Sequence, residues 1–301
     1  MDKTVGIVGL GIMGGAIARN LVNRGWRVIG FDTDAARRAE LALAEVAIAD
    51  DVGQVVRDAP VIMTSLPSPA AVEDVAQRIA NSGQSPRIVV ELSTLTIADK
   101  LRFEAILKTA GHIALDCPLS GTGAQAKVRD LIVYASGDTN AIAQCTSLFS
   151  DFAKQSADLG RFGNGSRMKF VANHLVAIHN VATAEAMILA ERAGLDPKMV
   201  VEMVGPGAGG SRMFQMRAPM MVEGVYEPAT MKVSTWQKDM RVIGEFANAL
   251  RCPTPLFTAT RPIYAAALAG GHATHDTASV CAVLEAKAGV KRGKTGKKTT
   301  R

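Results

Sequence analysis

The stretch Gly163 to Asn173 reads GNGSRMKFVAN and places a lysine and an asparagine four residues apart in an otherwise apolar, helix-forming run. At about 100° per residue, Asn173 falls about 40° from Lys169 around a helix, and Asn180 about 20° from it, so the three form one polar stripe. Phe170, Val171, Leu175 and Val176 surround that stripe, and burying it without partners is costly. It therefore pairs with other protein groups or lines a cleft and meets a ligand. A lysine amine can give a proton to a carbonyl oxygen or take one from an alcohol, and a neighbouring amide can orient the group that reacts. On these residues alone a structural ion pair is the favoured explanation of Lys169, because buried lysines are commonly paired.

A second group of residues points to a nucleotide. Gly9, Leu10, Gly11, Ile12, Met13 and Gly14 form a G-x-G-x-x-G that follows an apolar strand and opens an amphipathic helix. The first glycine permits a tight turn, the second lets a pyrophosphate approach the backbone, and the third allows close helix packing. The helix start then supplies unpaired N–H donors to the phosphates. Asp32 ends the next strand, 18 residues after Gly14, where its carboxylate can accept from both hydroxyls of an adenosine ribose and repel a 2′-phosphate. No Arg or Lys occupies Phe31, Thr33 or Asp34, and Arg37 and Arg38 lie further on. The expected cofactor is NAD rather than NADP.

These residues need a scaffold, and the periodicity supplies one. Strand, glycine turn, helix and strand from Thr4 to Phe31 make one βαβ unit. Buried-strand candidates follow at residues 61–66, 87–92, 112–117 and 131–136, with helix-period segments at 70–80 and 97–110. Alternation of this kind predicts a mostly parallel sheet with helices on both faces. After Gly163 strand signals become scarce: residues 166–194 are almost unbroken helix-forming sequence, and further helices are expected at 197–204, 229–250, 255–269 and 277–288. The chain is thus read as α/β, with a nucleotide-binding domain at residues 1–163 and an all-helical substrate and oligomerisation domain at 164–289. A long interdomain helix joins them, and a basic disordered tail follows at 290–301.

Composition narrows the class of function. The 301 residues are 48% hydrophobic and 21% charged, as expected of a globular chain with room for two domains. The segment VKRGKTGKKTTR, from Val290, holds six basic residues and no acid, which accounts for the whole formal charge of +6. The rest is balanced, so nucleic acid is not an expected partner, although the tail keeps an anionic partner in view. No apolar run reaches the roughly 18 uncharged residues of a membrane span, and no basic leader precedes the first strand, which together suggest a cytoplasmic protein. Cys117, Cys145, Cys252 and Cys281 are scattered and read as buried free thiols. His272 and His275 lack cysteine neighbours and read as loop or helix-start residues; no metal is expected.

Four motifs occur in one order: GLGIMG at Gly9 to Gly14, DCPLSGTGAQA at Asp116 to Ala126, GNGSRMKFVAN, and Lys238-Asp239. With TSLP ending at Pro67 and LST ending at Thr94, they resemble the β-hydroxyacid dehydrogenases, the group of 3-hydroxyisobutyrate dehydrogenase and tartronate semialdehyde reductase, up to about Gly289. The resemblance implies a Rossmann-type N-terminal domain and hydride exchange between NAD and a small hydroxy carboxylic acid, with Lys169 as general acid/base. A cationic nicotinamide and partial desolvation would favour the neutral amine. It also implies that Ser120, the backbone of Gly121 and Thr122, and Asn173 hold the substrate. Lys238 adds positive charge at the cofactor or carboxylate end, and Leu66, Pro67 and Thr94 line the cofactor side. A dimer or tetramer is implied as well.

The family's usual glycines are replaced at Thr122, Gln125 and Arg129, which leaves the substrate open: a 3-hydroxyisobutyrate-like acid, or a sugar acid such as threonate or glycerate. GSRMFQMRAPMM and DTASV look most like the sugar-acid branch. A phosphorylated sugar acid would need a basic cluster, for which Arg129, Arg167 and Arg212 are the candidates. His174 follows Asn173 where a second asparagine is common and reads as a packing residue. Two other readings compete: a non-catalytic NAD(P)-binding interaction protein, kept alive by the basic tail, and an imine reductase, disfavoured by Lys169.

Overall fold

In a computed structural model, residues 3–290 are described. The first part of the chain alternates β1 (Thr4–Val8), α1 (Ile12–Val22), β2 (Arg27–Phe31), α2 (Ala35–Ala42), β3 (Ala47–Ile48) and α3 (Val52–Asp58). It continues through β4 (Val61–Thr64), α4 (Pro69–Ala80), β5 (Ile88–Glu91), α5 (Ile97–Thr109) and β6 (Ile113–Asp116). These six strands form one parallel sheet in the order β3-β2-β1-β4-β5-β6. The order reverses between β1 and β4, so β1 ends at the switch point where such sheets bind ligands.

Both faces of this sheet are covered, which explains its continuous apolar strands. Val5, Ile7, Val61, Met63 and Val90 belong to one core, whereas Val8, Ile62 and Val89 belong to another. The side-chain period of two therefore sends alternate residues to opposite layers. Gly6 keeps α3 close, because a Cβ there would meet Val55 Cγ1 at 2.4 Å.

The expected strand at 131–136 forms, but not in the parallel sheet. After β7 (Leu119–Ser120) and α6 (Gly123–Lys127), β8 (Ile132–Ala135) pairs antiparallel with β7. Beyond α7 (Thr139–Gln144) and α8 (Thr146–Phe152), β9 (Gln155–Asp158) adds in parallel to β8, giving a separate three-stranded sheet. An apolar run shows that a strand is buried, not which sheet it joins. Strand β9, QSAD, is too polar to have been expected.

Helix α9 (Asn164–Arg192) is a single run of 29 residues. Two compact units divide within it, the first ending at Ala172 and the second beginning at Asn173. The second unit is helical: the rest of α9, α10 (Pro197–Val204), α11 (Arg212–Glu223), α12 (Val233–Ala249), α13 (Pro255–Ala269) and α14 (Val280–Ala288), with a 3-10 turn at Thr277–Ser279. The helix expected over 229–250 starts only at Val233, and that over 277–288 opens with the 3-10 turn. Helix α11 is an addition; Pro219 inside it and the glycines before it hide its periodicity, while Ser211 caps it by accepting from Phe214 N at 3.0 Å.

The second unit closes around a buried ion pair. Arg217 on α11 reaches Asp276 at 2.6 Å, and neither side chain is open to solvent. Asp276 also accepts from Thr230 N and Oγ1 at 2.8 Å each and from Ala278 N at 2.9 Å, so one carboxylate ties α11, the chain before α12 and the 3-10 turn together. Asn180, the far end of the polar stripe, serves the same core: its amide donates to Tyr264 Oη at 3.0 Å and to the Thr277 carbonyl at 2.9 Å.

Cys117, Cys145 and Cys281 are buried free thiols, but Cys252 is exposed just after α12, where it follows the turn at Arg251. Burial raises the Cys145 thiol to about 12 and the Cys117 thiol well above the ordinary range, which disfavours the thiolate form of both. The tail from residue 291 lies outside the described residues. Among those described, no helix is long and apolar enough to cross a membrane, and no three His, Cys, Asp or Glu side chains are grouped as metal ligands. His272 and His275 sit in the turn after α13, with Nδ1 atoms 2.8 Å apart.

Removing one member of the buried pair strands the other. Asp276→Ala is expected to cost about 3 to 5 kcal/mol, more than an ordinary cap loss. Calorimetry of the variant against Arg217→Met checks this; an unchanged melting curve in both would contradict the role given to the pair.

Candidate active site

The nucleotide end is built from the turn between β1 and α1. Gly9 has φ of 95°, and a Cβ there would lie 2.2 Å from the Ser65 carbonyl oxygen; one on Gly14 would lie 1.9 Å from the Gly9 carbonyl oxygen. Both glycines are demanded by the turn itself. Gly11 differs. Its φ of −66° is open to any L-residue, and a Cβ there would meet nothing within 4 Å. No packing inside the protein requires a glycine at that position, whereas close approach of a pyrophosphate would. Helix α1 also starts without a side-chain cap, leaving its first amides to other acceptors. The residues present thus fit a dinucleotide.

Asp32, the residue expected to meet a ribose, is held by two backbone amides. Its Oδ2 accepts from Leu10 N at 2.7 Å and its Oδ1 from Asp34 N at 2.8 Å, which locks the carboxylate at the end of β2 and braces the glycine turn. The cations nearby are engaged: Arg38 donates to the Asp32 carbonyl, while Arg37 and Arg19 both pair with Glu40. Leu66 and Pro67 follow β4, and Leu66 N donates to Ser93 Oγ at 2.9 Å, joining this loop to the Ser93-Thr94 loop after β5.

The loop carrying Ser120, Gly121 and Thr122 is tied to the same helix α1. Buried Asn20 on α1 donates to the Ala126 carbonyl at 2.7 Å, and Gly123 packs so closely that a Cβ there would meet Ile12 Cγ2 at 2.4 Å. The replacements in this motif have local structural reasons. Thr122 and Gln125 form a reciprocal capping box that starts α6, and Gln125 Nε2 also reaches Asp130 Oδ2 at 3.0 Å. Arg129 keeps a left-handed φ of 61°, as a glycine would, and its guanidinium donates to the Ser150 carbonyl at 2.9 Å. Arg167 in turn donates to Asn164 Oδ1 at 3.2 Å.

Lys169 is buried on the second turn of α9, in the first unit. Residues Asn164 to Ser166 open this helix after Gly163, which has no side chain to cap with. The caps come from elsewhere: Gly165 N donates to Ser136 Oγ at 2.9 Å, and Ser166 N and Oγ donate to the two carboxylate oxygens of Asp116 at 2.7 and 2.8 Å. Asp116, at the end of β6, also accepts an ion pair from Lys100 Nζ at 2.9 Å, and Lys100 bonds Glu91 at the end of β5. All three charged side chains are shut off from solvent.

Asn173 and Lys238 belong to the second unit. Asn173 Nδ2 donates to Asp239 Oδ2 at 3.0 Å, and Lys238 Nζ lies 3.7 Å from Asp239 Oδ1. The sequence reading named Lys238 but gave Asp239 no task; its carboxylate fixes which end of the Asn173 amide points away. His174 stacks on Phe257 with ring centroids 5.3 Å apart, and desolvation lowers its pKa, as suits a packing residue.

Comparison with known proteins agrees with this frame. Residues 4–160 match the family model of the NAD binding domain of 6-phosphogluconate dehydrogenase, and residues 163–284 match that of the NAD-binding region of NADP-dependent 3-hydroxyisobutyrate dehydrogenase. The chain belongs to the β-hydroxyacid dehydrogenase family, which binds NAD(P). It is 28% identical over 286 residues to glyoxylate/succinic semialdehyde reductase 2 of Arabidopsis thaliana, across 94% of this chain and 80% of that protein. It is 27% identical over 288 residues to L-threonate dehydrogenase of Cupriavidus necator, covering 94% and 97%. The solved structure of 3-hydroxyisobutyrate dehydrogenase of Mycobacterium tuberculosis with L-serine superposes with a TM-score of 0.86 at 25% identity, covering 94% and 99%.

The glycine turn yields a test that separates folding from binding. Gly11→Ala is expected to melt as the wild type does yet bind NADH about tenfold more weakly, a loss of about 1.4 kcal/mol. Gly14→Ala is expected to unsettle the turn and lower the melting temperature itself. Equal NADH affinity in Gly11→Ala, measured by fluorescence titration, would remove the pyrophosphate from this position.

Proposed function

We propose that the protein oxidises or reduces a small hydroxy carboxylic acid by hydride exchange with NAD, using Lys169 as general acid/base. The observation that carries this reading is Lys169 itself. It is a buried lysine one turn from a helix start anchored by Asp116 and Ser136, in a chain whose other motifs follow the family's order. Bound NAD supplies a hydride acceptor, and NADH a donor, at the nicotinamide C4.

Lys169 takes the hydroxyl proton as the alcohol is oxidised and returns it to the carbonyl oxygen in reduction. Asn173, one helical turn on, has its Nδ2 held by Asp239, so Oδ1 is the end offered to a substrate hydroxyl. Ser120 and the backbone of Gly121 and Thr122 receive the carboxylate, and Lys238 adds positive charge. Leu10 to Met13 supply the turn and helix start for the pyrophosphate, with Leu66, Pro67 and Thr94 on the nicotinamide side. Asp32, at the end of β2, favours NAD over NADP because its carboxylate would repel a 2′-phosphate.

A sugar acid such as threonate or glycerate, or a 3-hydroxyisobutyrate-like acid, fits this chemistry. The two segments that resemble the sugar-acid branch contain Arg217 and Asp276, whose buried pair gives them a packing reason, so substrate choice rests on the Ser120–Gly123 loop instead. A phosphorylated acid is less well served, since Arg129 and Arg167 are engaged with Ser150 and Asn164. We also infer a homo-oligomer: Leu195, Met199 and Met203, four residues apart at and along α10, are all more than half exposed.

Spectrophotometric NAD reduction against 3-hydroxyisobutyrate, glycerate, threonate and 6-phosphogluconate tests the reading. Turnover on at least one acid is expected, with NADH bound more tightly than NADPH. Lys169→Ala is expected to lose about 10² to 10⁴ in kcat. Near wild-type turnover by Lys169→Ala would end the acid/base assignment.

A further inference from the structure

Lys100 lies on the core face of α5, in register with Phe103 and Leu107, and is as buried as they are. A lysine in such a place needs a reason, and its surroundings form an unbroken chain of contacts. Leu66 N donates to Ser93 Oγ at 2.9 Å; Ser93 N donates to Glu91 Oε1 at 2.8 Å; Lys100 bonds Glu91 Oε2 and lies 2.9 Å from Asp116 Oδ1. Asp116 then holds Ser166 through two bonds, three residues before Lys169. One end of this chain is the loop read as the nicotinamide side, and the other is the turn of α9 that precedes the proton-transfer lysine.

We propose that Lys100 is a positioning residue: its ammonium, set between the Glu91 and Asp116 carboxylates, fixes the nicotinamide-side loops and the Lys169-bearing start of α9 in one geometry. This rests on the function proposed above. Two carboxylates at the ends of adjacent parallel strands repel each other when buried, and a cation between them turns that repulsion into a three-way tie. An apolar cluster of the same volume would hold β5, β6 and α5 together as well or better. What the ions add is direction. Asp116 presents one oxygen to the Ser166 amide and the other to its hydroxyl, which fixes both the axial position and the rotation of the first turn of α9. Hydride and proton transfer depend on such placement, and an error of about 1 Å costs about 10²-fold in rate.

The test is Glu91→Gln/Lys100→Met, which removes one charge of each sign and so keeps the net charge of the cluster, leaving Asp116 its bonds to Ser166, alongside Ser166→Ala, a change too small to prevent folding. Both are assayed with wild type and Lys169→Ala on whichever acid of the panel the wild type turns over fastest. In the double variant kcat is expected to fall about tenfold or more, while the Kd of NADH and the KM of the acid stay within about twofold. Ser166→Ala is expected to lose about threefold in kcat in the same pattern. Wild-type kcat in both variants, whatever their melting temperatures, would make the cluster a structural tie and overturn the proposal. A parallel rise in KM and Kd without loss of kcat would overturn it too. A wild type silent on every acid, or an active Lys169→Ala, defeats the underlying function instead, and the role of Lys100 falls with it.

Discussion

Helix α9 begins on a carboxylate that is not its own. Asp116, at the end of the sixth strand of the parallel sheet, takes the Ser166 amide and hydroxyl, while Ser136 takes the amide of Gly165. A helix of 29 residues has a full macrodipole, which a buried carboxylate at its start favours, and its first amides find separate acceptors: Asp116 for Ser166, Ser136 for Gly165, and the Arg161 and Gly163 carbonyls for Asn164 and Arg167. The position of Lys169 is inherited from that contact. Gly165 has no room for a side chain, since a Cβ there would lie 2.3 Å from the Tyr134 carbonyl oxygen and 2.5 Å from that of Asp116. The first turn of the helix is thereby pressed against the ends of β6 and β8.

The same economy runs through the nucleotide end. Asp32, proposed as the ribose acceptor, also braces the glycine turn through Leu10 N. Helix α1 packs against α6 through Gly123 and Asn20, so the helix that follows the loop bearing Ser120 rests on the nucleotide helix. Asp32, Leu66 and Asn173 are each held by a second, buried residue, Leu10, Ser93 and Asp239 respectively, the arrangement that accurate positioning requires. In the second unit, Asp276 has the comparable part, holding three chain segments around Arg217.

Much of this was readable in the linear chain, because glycine spacing and apolar periodicity report directly on turns and on buried faces. Gly9 and Gly14 are where the turn needs them, and helices α10 and α13 have the expected limits. What escaped notice was polar and non-local. Lys100 carried the same signal as Lys169, a lysine in step with Phe103 and Leu107 on an apolar face, but nothing in the sequence names Glu91 and Asp116 as its partners. Asn180 shares the stripe of Lys169 and yet belongs to the Tyr264 core, because periodicity gives a direction around the helix and not the neighbour met there. Thr122 and Gln125 read as departures from a glycine-rich loop; the capping box they form involves backbone amides that composition does not reveal.

The central claim is that the start of α9 is pinned rather than frayed, and residue-resolved amide hydrogen exchange of the wild-type protein addresses it most directly. Helix starts ordinarily exchange fast, for want of acceptors. Bonded to Ser136 and Asp116, the amides of Gly165 and Ser166 should exchange as slowly as those of the central strands β1 and β4. Exchange at the rate of an open helix end would contradict the account.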